Sequence, residues 1–261
     1  MTHDIVVVGP SQLELCFGDL PRLPRPGEEL WCRQMTVRPR RSALTAIAAS
    51  RLGLRTALAS PLADDFPGRY LRSMLGTERV EWLGPLAPTS GMLIDFGLEC
   101  GSAALIPPPA ADQASSAWRI PAAALVGHMA WLDHVPCVGP RYGIVTAPGE
   151  DGPRSCAGPM RALLTTPEAA RAMAGTSDLI RAARTLLDMC ETVVVDRNED
   201  GALACTAGEQ VDVPSAPVNR RPVPLSRSLF IAAYVWADLR RMPLADRVGW
   251  AVLHSARGET P

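Results

Sequence analysis

Lysine is absent from this chain of 261 residues, so all 26 basic residues are arginine. That absence excludes Schiff-base catalysis by a lysine amine, and it excludes a phosphate loop of the kind that needs a lysine. Neither sign of charge dominates, because 27 acidic residues leave a formal net charge of −1. No global field therefore attracts nucleic acid or an acidic membrane surface, and we expect neither as a partner.

The cysteines follow no spacing pattern. They are odd in number and none forms a CxxC pair, which argues against a disulfide framework or a zinc site and favours reduced thiols. The seven are Cys16, Cys32, Cys100, Cys137, Cys156, Cys190 and Cys205. The N-terminus lacks the basic region of a signal peptide, and no apolar run is long enough to span a membrane. We expect a cytoplasmic protein without a metal site.

Strand-like and helix-like patterns alternate along the chain. Repeated units of this kind indicate a parallel sheet flanked by helices, in one α/β domain over residues 1–261. Two pairs of short strands, at about 12–37 and 91–106, predict a small additional sheet. Strands are predicted at Asp4–Gly9, Gln12–Phe17, Glu29–Val37, His128–His134 and Tyr142–Ala147. Helices are predicted from Ser42 to Gly53 and at Glu168–Ala174, Leu179–Cys190 and Leu244–Ala256.

A proline-broken loop leads into an apolar helix within Val218–Leu239. The apolar run LFIAAYVWADL is long enough for about three helical turns. Either Ser226 or Ser228 can cap the start of this helix by accepting hydrogen bonds from its first free amides. Those amides and the helix dipole point the same way, so the helix start is a candidate anion site.

Four segments, in this order, resemble the PfkB/ribokinase family of carbohydrate and nucleoside kinases. They are VVVG with Glu14 and PRPGEE, then ASRLGLRTALASPLADDFPGRYL, DRNEDGALA and SLFIAAYVWADL. The resemblance covers nearly the whole chain. It implies a doubly wound, mostly parallel sheet flanked by helices, with a small β-sheet lid over a sugar site. It also implies transfer of the ATP γ-phosphoryl group to a sugar hydroxyl, with the aspartate of a GAGD loop as base.

The residues that would carry this chemistry are replaced. GAGD becomes LSRS, ending at Ser228, and a serine hydroxyl cannot accept a proton usefully near neutral pH. The sugar loop GGKGAN becomes PRRSAL, with Leu44 in place of the asparagine. The NxxE pattern keeps only Glu168, and the TxG pattern of the nucleotide strand begins with Asp196, a carboxylate where ATP phosphates would lie. We therefore predict a degenerate member of the family.

Arginines stand in both altered loops. If the resemblance holds, the loops converge on one cleft, and guanidinium groups suit phosphate or carboxylate, so a small anionic ligand is expected. The residues concerned are Arg38, Arg40 and Arg41 in one loop and Arg220, Arg221, Ser226 and Arg227 in the other. The alternative is that the arginines point into solvent or pair with Asp64, Asp65 or Asp196.

Other polar residues have two interpretations. Glu14 either contacts a polar ligand or is an exposed carboxylate on a lid strand. Asp64 and Asp65 are predicted to cap the next helix, and Glu168 to act as a helix-dipole partner rather than a metal ligand. His128 and His134 are predicted to be surface or core residues, because no carboxylate or cysteine lies at ligand spacing.

Three functions remain open. The first is a non-catalytic binding or regulatory protein that needs no ATP or Mg²⁺. Such a protein could pair through its lid with itself or with an active relative, using Leu30, Trp31, Met35, Met92 and Leu93. The second is an active kinase that uses ATP and Mg²⁺, with Asp196 or Glu14 as replacement base. The third is different chemistry in the same cleft, for which no Ser-His-Asp, Cys-His or metal set stands out.

Overall fold

A computed structural model describes residues 3–18, 20–96, 123–133, 135, 137, 139–148, 160–216 and 226–257. Within these ranges no helix is long and apolar enough to cross a membrane.

Twelve strands and seven helices occupy the described residues. The strands are β1 (Ile5–Val8), β2 (Ser11–Gly18), β3 (Gln34–Arg41), β4 (Thr56–Ala59), β5 (Glu81–Trp82), β6 (Gly91–Asp95), β7 (Leu125–His128), β8 (Arg141–Val145), β9 (Met160–Thr165), β10 (Cys190–Asp196), β11 (Ala202–Cys205) and β12 (Gln210–Val213). The helices are α1 (Ser42–Arg51), α2 (Phe66–Thr77), α3 (Met129–Leu132), α4 (Pro167–Ala174), α5 (Leu179–Thr185), α6 (Ser226–Leu239) and α7 (Leu244–Arg257).

The main sheet has nine strands in the order β12-β11-β10-β9-β8-β7-β1-β4-β5. All of its pairs are parallel except those that join β11 to its two neighbours, β10 and β12. Strand order reverses about β1, so helices cover both faces. The predicted doubly wound, mostly parallel sheet is confirmed.

Successive side chains along a central strand point to opposite faces of the sheet, so they pack into two different hydrophobic clusters. In β1, Ile5 and Val7 pack into one cluster with α1, α2, α6 and α7, while Val6 and Val8 pack into the other with α3, α4 and α5. Because both faces are covered, these strands are continuous apolar runs rather than half-polar ones.

A second sheet of three strands, in the order β3-β2-β6, forms the lid. β2 pairs with β3 antiparallel and with β6 parallel. Arg41, the last residue of β3, is followed at once by Ser42, the first residue of α1. This connection between the lid and the main domain is therefore a single peptide bond. Residues 97–106 of the predicted lid range lie outside the described residues.

A network of polar and charged residues lies near the amino ends of β8 and β9. Buried Asp238, near the end of α6, accepts hydrogen bonds from the Tyr142 hydroxyl at 2.6 Å and from Arg161 Nε and Nη2 at 3.0 Å each. Arg247 Nη1 of α7 lies 2.5 Å from the same carboxylate. Burial would raise the pKa of Asp238, but these partners hold it below its ordinary value. The network ties both helices to β8 and β9.

Three predicted elements differ from the observed ones, and one strand was missed. The predicted strand His128–His134 is wrong: β7 ends at His128, and MAWL, made mostly of good helix formers, begins α3. The predicted strand Glu29–Val37 begins only at Gln34. The predicted helix Leu179–Cys190 ends at Thr185 and is followed by a 3₁₀ turn. Strand β9 was not predicted.

Candidate functional site

A cleft of about 700 Å³ lies between the lid and the carboxyl ends of the parallel strands. The lid, the start of α1, the ends of β7 and β8 and the start of α6 all contribute to it. Its lining residues are Gln12, Glu14, Arg38, Pro39, Arg40, Arg41, Ser42, Leu44, Thr45, Leu93, His128, Ile144, Thr146, Arg227, Ser228 and Ile231.

Strand register decides which lid side chains face the cleft. Glu14 on β2 lies directly opposite Arg38 on β3, and Gln12 lies opposite Arg40. Residues two apart on a strand share a face, so these four side chains form one polar patch. Glu14 therefore lies across from one arginine and diagonal to the second, both within reach of long side chains.

Glu14 bridges the two lid arginines. One of its oxygens accepts from Arg38 Nε and the other from Arg40 Nη1. The carboxylate is only 1% exposed, whereas the arginine side chains are 33% and 45% exposed. Burial would raise the pKa of Glu14, but the two guanidinium groups outweigh it, so the pKa lies below its ordinary value. The interpretation of Glu14 as an exposed lid carboxylate is wrong.

Arg41 occupies a backbone conformation that side chains rarely adopt, with φ 57° and ψ −130°. Its guanidinium Nε donates to Gln12 Oε1 at 3.2 Å. The amide of the next residue, Ser42, donates to the carbonyl of Pro10 at 3.2 Å, which fixes the chain on entry into α1. The surrounding structure thus holds Arg41 in place at the rim of the cleft, at a cost in backbone strain.

The start of α6 contributes the hydroxyl group of Ser228 to the cleft. Ser228 Oγ lies 3.4 Å from Thr45 Oγ1 of α1, and the Ser228 residue is 8% exposed. Ser226 is the first residue of the helix and Ser228 the third, so Ser228 is not the N-cap and that alternative is wrong. The preceding stretch, which includes Arg220 and Arg221, lies outside the described residues.

Arg227 connects the cleft to Asp196. Its Nε lies 3.6 Å from Asp196 Oδ2, and its Nη2 donates to Asn198 Oδ1 at 3.3 Å. A side cavity of about 10 Å³ adjoins this pair and shares Arg227, Thr146 and other lining residues with the cleft. Burial raises the pKa of Asp196, although the Asn198 amide and the Arg227 guanidinium oppose the shift. Arg227 both lines the cleft and pairs with Asp196.

Other predicted residues lie elsewhere. Asp65 caps α2 by accepting from the Gly68 amide at 2.9 Å, whereas Asp64 pairs with Arg69 and Arg72 on the surface. Glu168 is exposed in the first turn of α4 and does not line the described part of the cleft.

Several polar residues that were not predicted as binding groups line the cleft, among them Gln12 and Thr45. His128 also lines it, at the end of β7. The alternation of Gln12 and Glu14 along β2 could have signalled a shared face. Thr45 depends on how α1 meets α6, which no local pattern encodes.

Arginines outnumber carboxylates among the described lining residues of the cleft. Those residues include four arginines and one carboxylate, Glu14. Two further carboxylates that do not line the cleft interact with these arginines, Asp196 with Arg227 and Asp95 with Arg38.

One group of possible metal donors lies on the lid, where ligand atoms of Glu14, Cys16 and Asp95 fall within 4.8 Å of one another. Glu14 is already bound by two guanidinium groups, whose charge opposes a cation. Burial raises the pKa of the Cys16 thiol, which disfavours the thiolate that metals bind. This set does not fit a metal ion.

No protein-family model matches the chain, and no curated protein matches it either. Solved structures do match. They include a PfkB protein from Polaromonas sp. JS666, at 17% identity and TM-score 0.72, covering 98% of this chain and 96% of that one. A ribokinase from Thermotoga maritima matches at 15% and 0.78, covering 99% and 93%. An Arabidopsis thaliana ribokinase, solved with ribose and ATP, matches at 15% and 0.76, covering 98% and 92%. At these identities the likeness shows the fold.

Proposed function

We propose that this protein is a degenerate member of the PfkB/ribokinase family that binds a small anionic molecule without phosphorylating it. Two things support the family: the ribokinase-like fold over nearly the whole chain, and the four sequence segments that occur in the family's order. The binding role rests on the cleft, whose described lining includes four arginines and one carboxylate.

The observation that carries the loss of catalysis is the environment of Ser228. This residue stands where the resemblance places the aspartate base, and its nearest hydroxyl partner is Thr45. A base needs an unengaged acceptor whose pKa suits proton transfer. Among the described residues, Glu14 and Asp196 are carboxylates at or beside the cleft, and both are paired with arginine. Neither is therefore an unengaged acceptor.

ATP–Mg²⁺ fits the described residues poorly. The resemblance places its phosphates beside Asp196, a buried carboxylate that would repel them. Glycines that would let the backbone approach a phosphate are replaced by residues with side chains, including Arg227, which extends to Asp196. A smaller anion can use the arginines without entering that region.

One observation favours a second candidate, an active kinase. Asp196 is 6% exposed, its pKa is raised by burial, and it lies beside the start of α6 through Arg227. A carboxylate with a raised pKa is a better general base than an ordinary one. In this candidate function Asp196 takes the proton of a sugar hydroxyl. ATP consumption in the presence of a sugar, abolished by Asp196→Asn, would establish it.

The test is a thermal-shift screen of the purified protein with ATP–Mg²⁺, ADP, sugars and sugar phosphates, since a ligand that binds only the folded state raises its apparent stability. We expect shifts with phosphorylated compounds and none with ATP–Mg²⁺. The double variant Arg40→Gln/Arg227→Gln should lose these shifts. Arg69→Gln is the matched control, because Arg69 pairs with Asp64 outside the cleft. A shift with ATP–Mg²⁺ comparable to that with phosphorylated compounds would contradict the proposal.

A further inference from the structure

Glu14 lies behind the arginine pair rather than in front of it. At 1% exposure it has almost no contact with solvent, whereas the two arginine side chains that cover it are 33% and 45% exposed. Each guanidinium uses one N–H group on the carboxylate, Nε in Arg38 and Nη1 in Arg40. Since a guanidinium has five N–H donors, most remain for a ligand on the cleft side.

We propose that Glu14 is a built-in counter-ion that sets the charge of ligand the cleft prefers. The inference rests on the proposed anion-binding function and adds a specificity-determining residue to it. With Glu14 charged, the group formed by Arg38, Arg40 and Glu14 has a formal charge of +2 − 1 = +1; with Glu14 neutral, the formal charge of the same group is +2. Glu14 thereby limits the retention of more highly charged molecules such as polyphosphates.

Removing the Glu14 charge has two opposing effects on anion binding. Arg38 and Arg40 lose a common partner and become less well ordered, which weakens all ligands about equally. The electrostatic effect differs, because it grows in proportion to ligand charge. A ligand on the far side of the guanidinium groups would lie roughly 7 Å from the carboxylate, where one charge changes affinity by about tenfold per unit of ligand charge. The ratio of dianion to monoanion affinity therefore isolates the electrostatic effect.

The probes are methyl phosphate and dimethyl phosphate at pH 8 and low salt. They are nearly the same shape, but the monoester carries about two negative charges, since its second pKa is about 6, and the diester carries one. Dissociation constants are measured by ³¹P NMR titration of each probe with the full chain. For Glu14→Gln we expect the ratio of methyl to dimethyl phosphate affinity to rise about tenfold over wild type. Asp64→Asn, which removes a carboxylate paired outside the cleft, should leave the ratio unchanged.

An unchanged or lower ratio in Glu14→Gln would overturn the inference, even if both affinities fall, and would leave the anion-binding function standing. A ratio that rises equally in Asp64→Asn would overturn it too, since the effect would then come from overall charge. If neither probe binds wild type or Glu14→Gln, while the variant melts cooperatively near the wild-type temperature, the proposed function itself fails. These results are distinguishable in one set of titrations.

Discussion

Arg41 offers a direct test of stored backbone strain. Its φ of 57° and ψ of −130° lie outside the regions that residues with a Cβ atom favour, at the junction of the lid and α1. Such a conformation costs on the order of 1–3 kcal/mol. Replacement by glycine removes the strain, and replacement by alanine keeps it. Both variants lose the guanidinium contact with Gln12, so their difference isolates the backbone.

At an ordinary strand position glycine is less stable than alanine by roughly 0.5–1 kcal/mol. At Arg41 the strain should reverse the sign, leaving Arg41→Gly about 1 kcal/mol more stable than Arg41→Ala. For a chain of this size that difference is roughly 2–4 °C in Tm.

Thermal unfolding followed by circular dichroism measures the difference. Thr36, exposed in the middle of the same strand, supplies the control, because Thr36→Gly should melt below Thr36→Ala. The reasoning about strain would be refuted by an Arg41→Gly variant that melts at or below Arg41→Ala. Both Arg41 variants should bind methyl phosphate more weakly than wild type, since both lack the cleft guanidinium.

Three further predictions concern other parts of the chain. Asp238→Asn should cost about 3–5 kcal/mol at pH 7, because it breaks the pair between the buried Asp238 carboxylate and Arg247, whose side chain is 15% exposed. Since folding lowers the pKa of Asp238, this loss should shrink as the pH falls below about 4, which denaturant unfolding at several pH values would measure. Folding raises the pKa of Asp196, so the protonated carboxyl group favours the folded state at acid pH, and this contribution to stability is lost as the pH rises. Asp196→Asn should therefore melt higher than wild type at pH 7.5 but not at acid pH. If two lids pair through their exposed apolar residues, Trp31→Ser, at a side chain 94% exposed, should give a lower mass than wild type in light scattering, and an equal mass would exclude that pairing.

Local patterns were enough to predict most of the main sheet. The β-branched run in β1, the alanine-rich α1 and its glycine terminus each have a periodicity that matches one structure. Strand β9 was missed because MRALLT contains only one β-branched residue and no alternation. Buried parallel strands and buried helices share continuous apolar runs, so a short run with few β-branched residues, such as β9, does not show by itself which structure it forms.

The contacts within the cleft were harder to predict, because they depend on register. Glu14 meets Arg38 and Arg40 only if β2 and β3 pair in the observed alignment. The loop between these strands spans residues 19–33, and a connection of that length does not fix register as a two-residue turn would. A slip of one residue would turn Glu14 away from the cleft. The sequence therefore indicated that arginines and an acid were present, but not that the acid would bind the arginines.

The pairing of Glu14 with Arg38 and Arg40 bears on which ligands the cleft favours. In the resemblance Glu14 stands where an acid would bind sugar hydroxyls. An acid that accepts from two guanidinium groups has few lone pairs left for a neutral sugar. In this chain the acid is the counter-ion of two arginines of β3. The exposed sides of the guanidinium groups then favour negative charge over hydroxyls. A neutral sugar would gain little here, so weak sugar binding and measurable anion binding should occur together, and Glu14→Gln should alter the second without restoring the first.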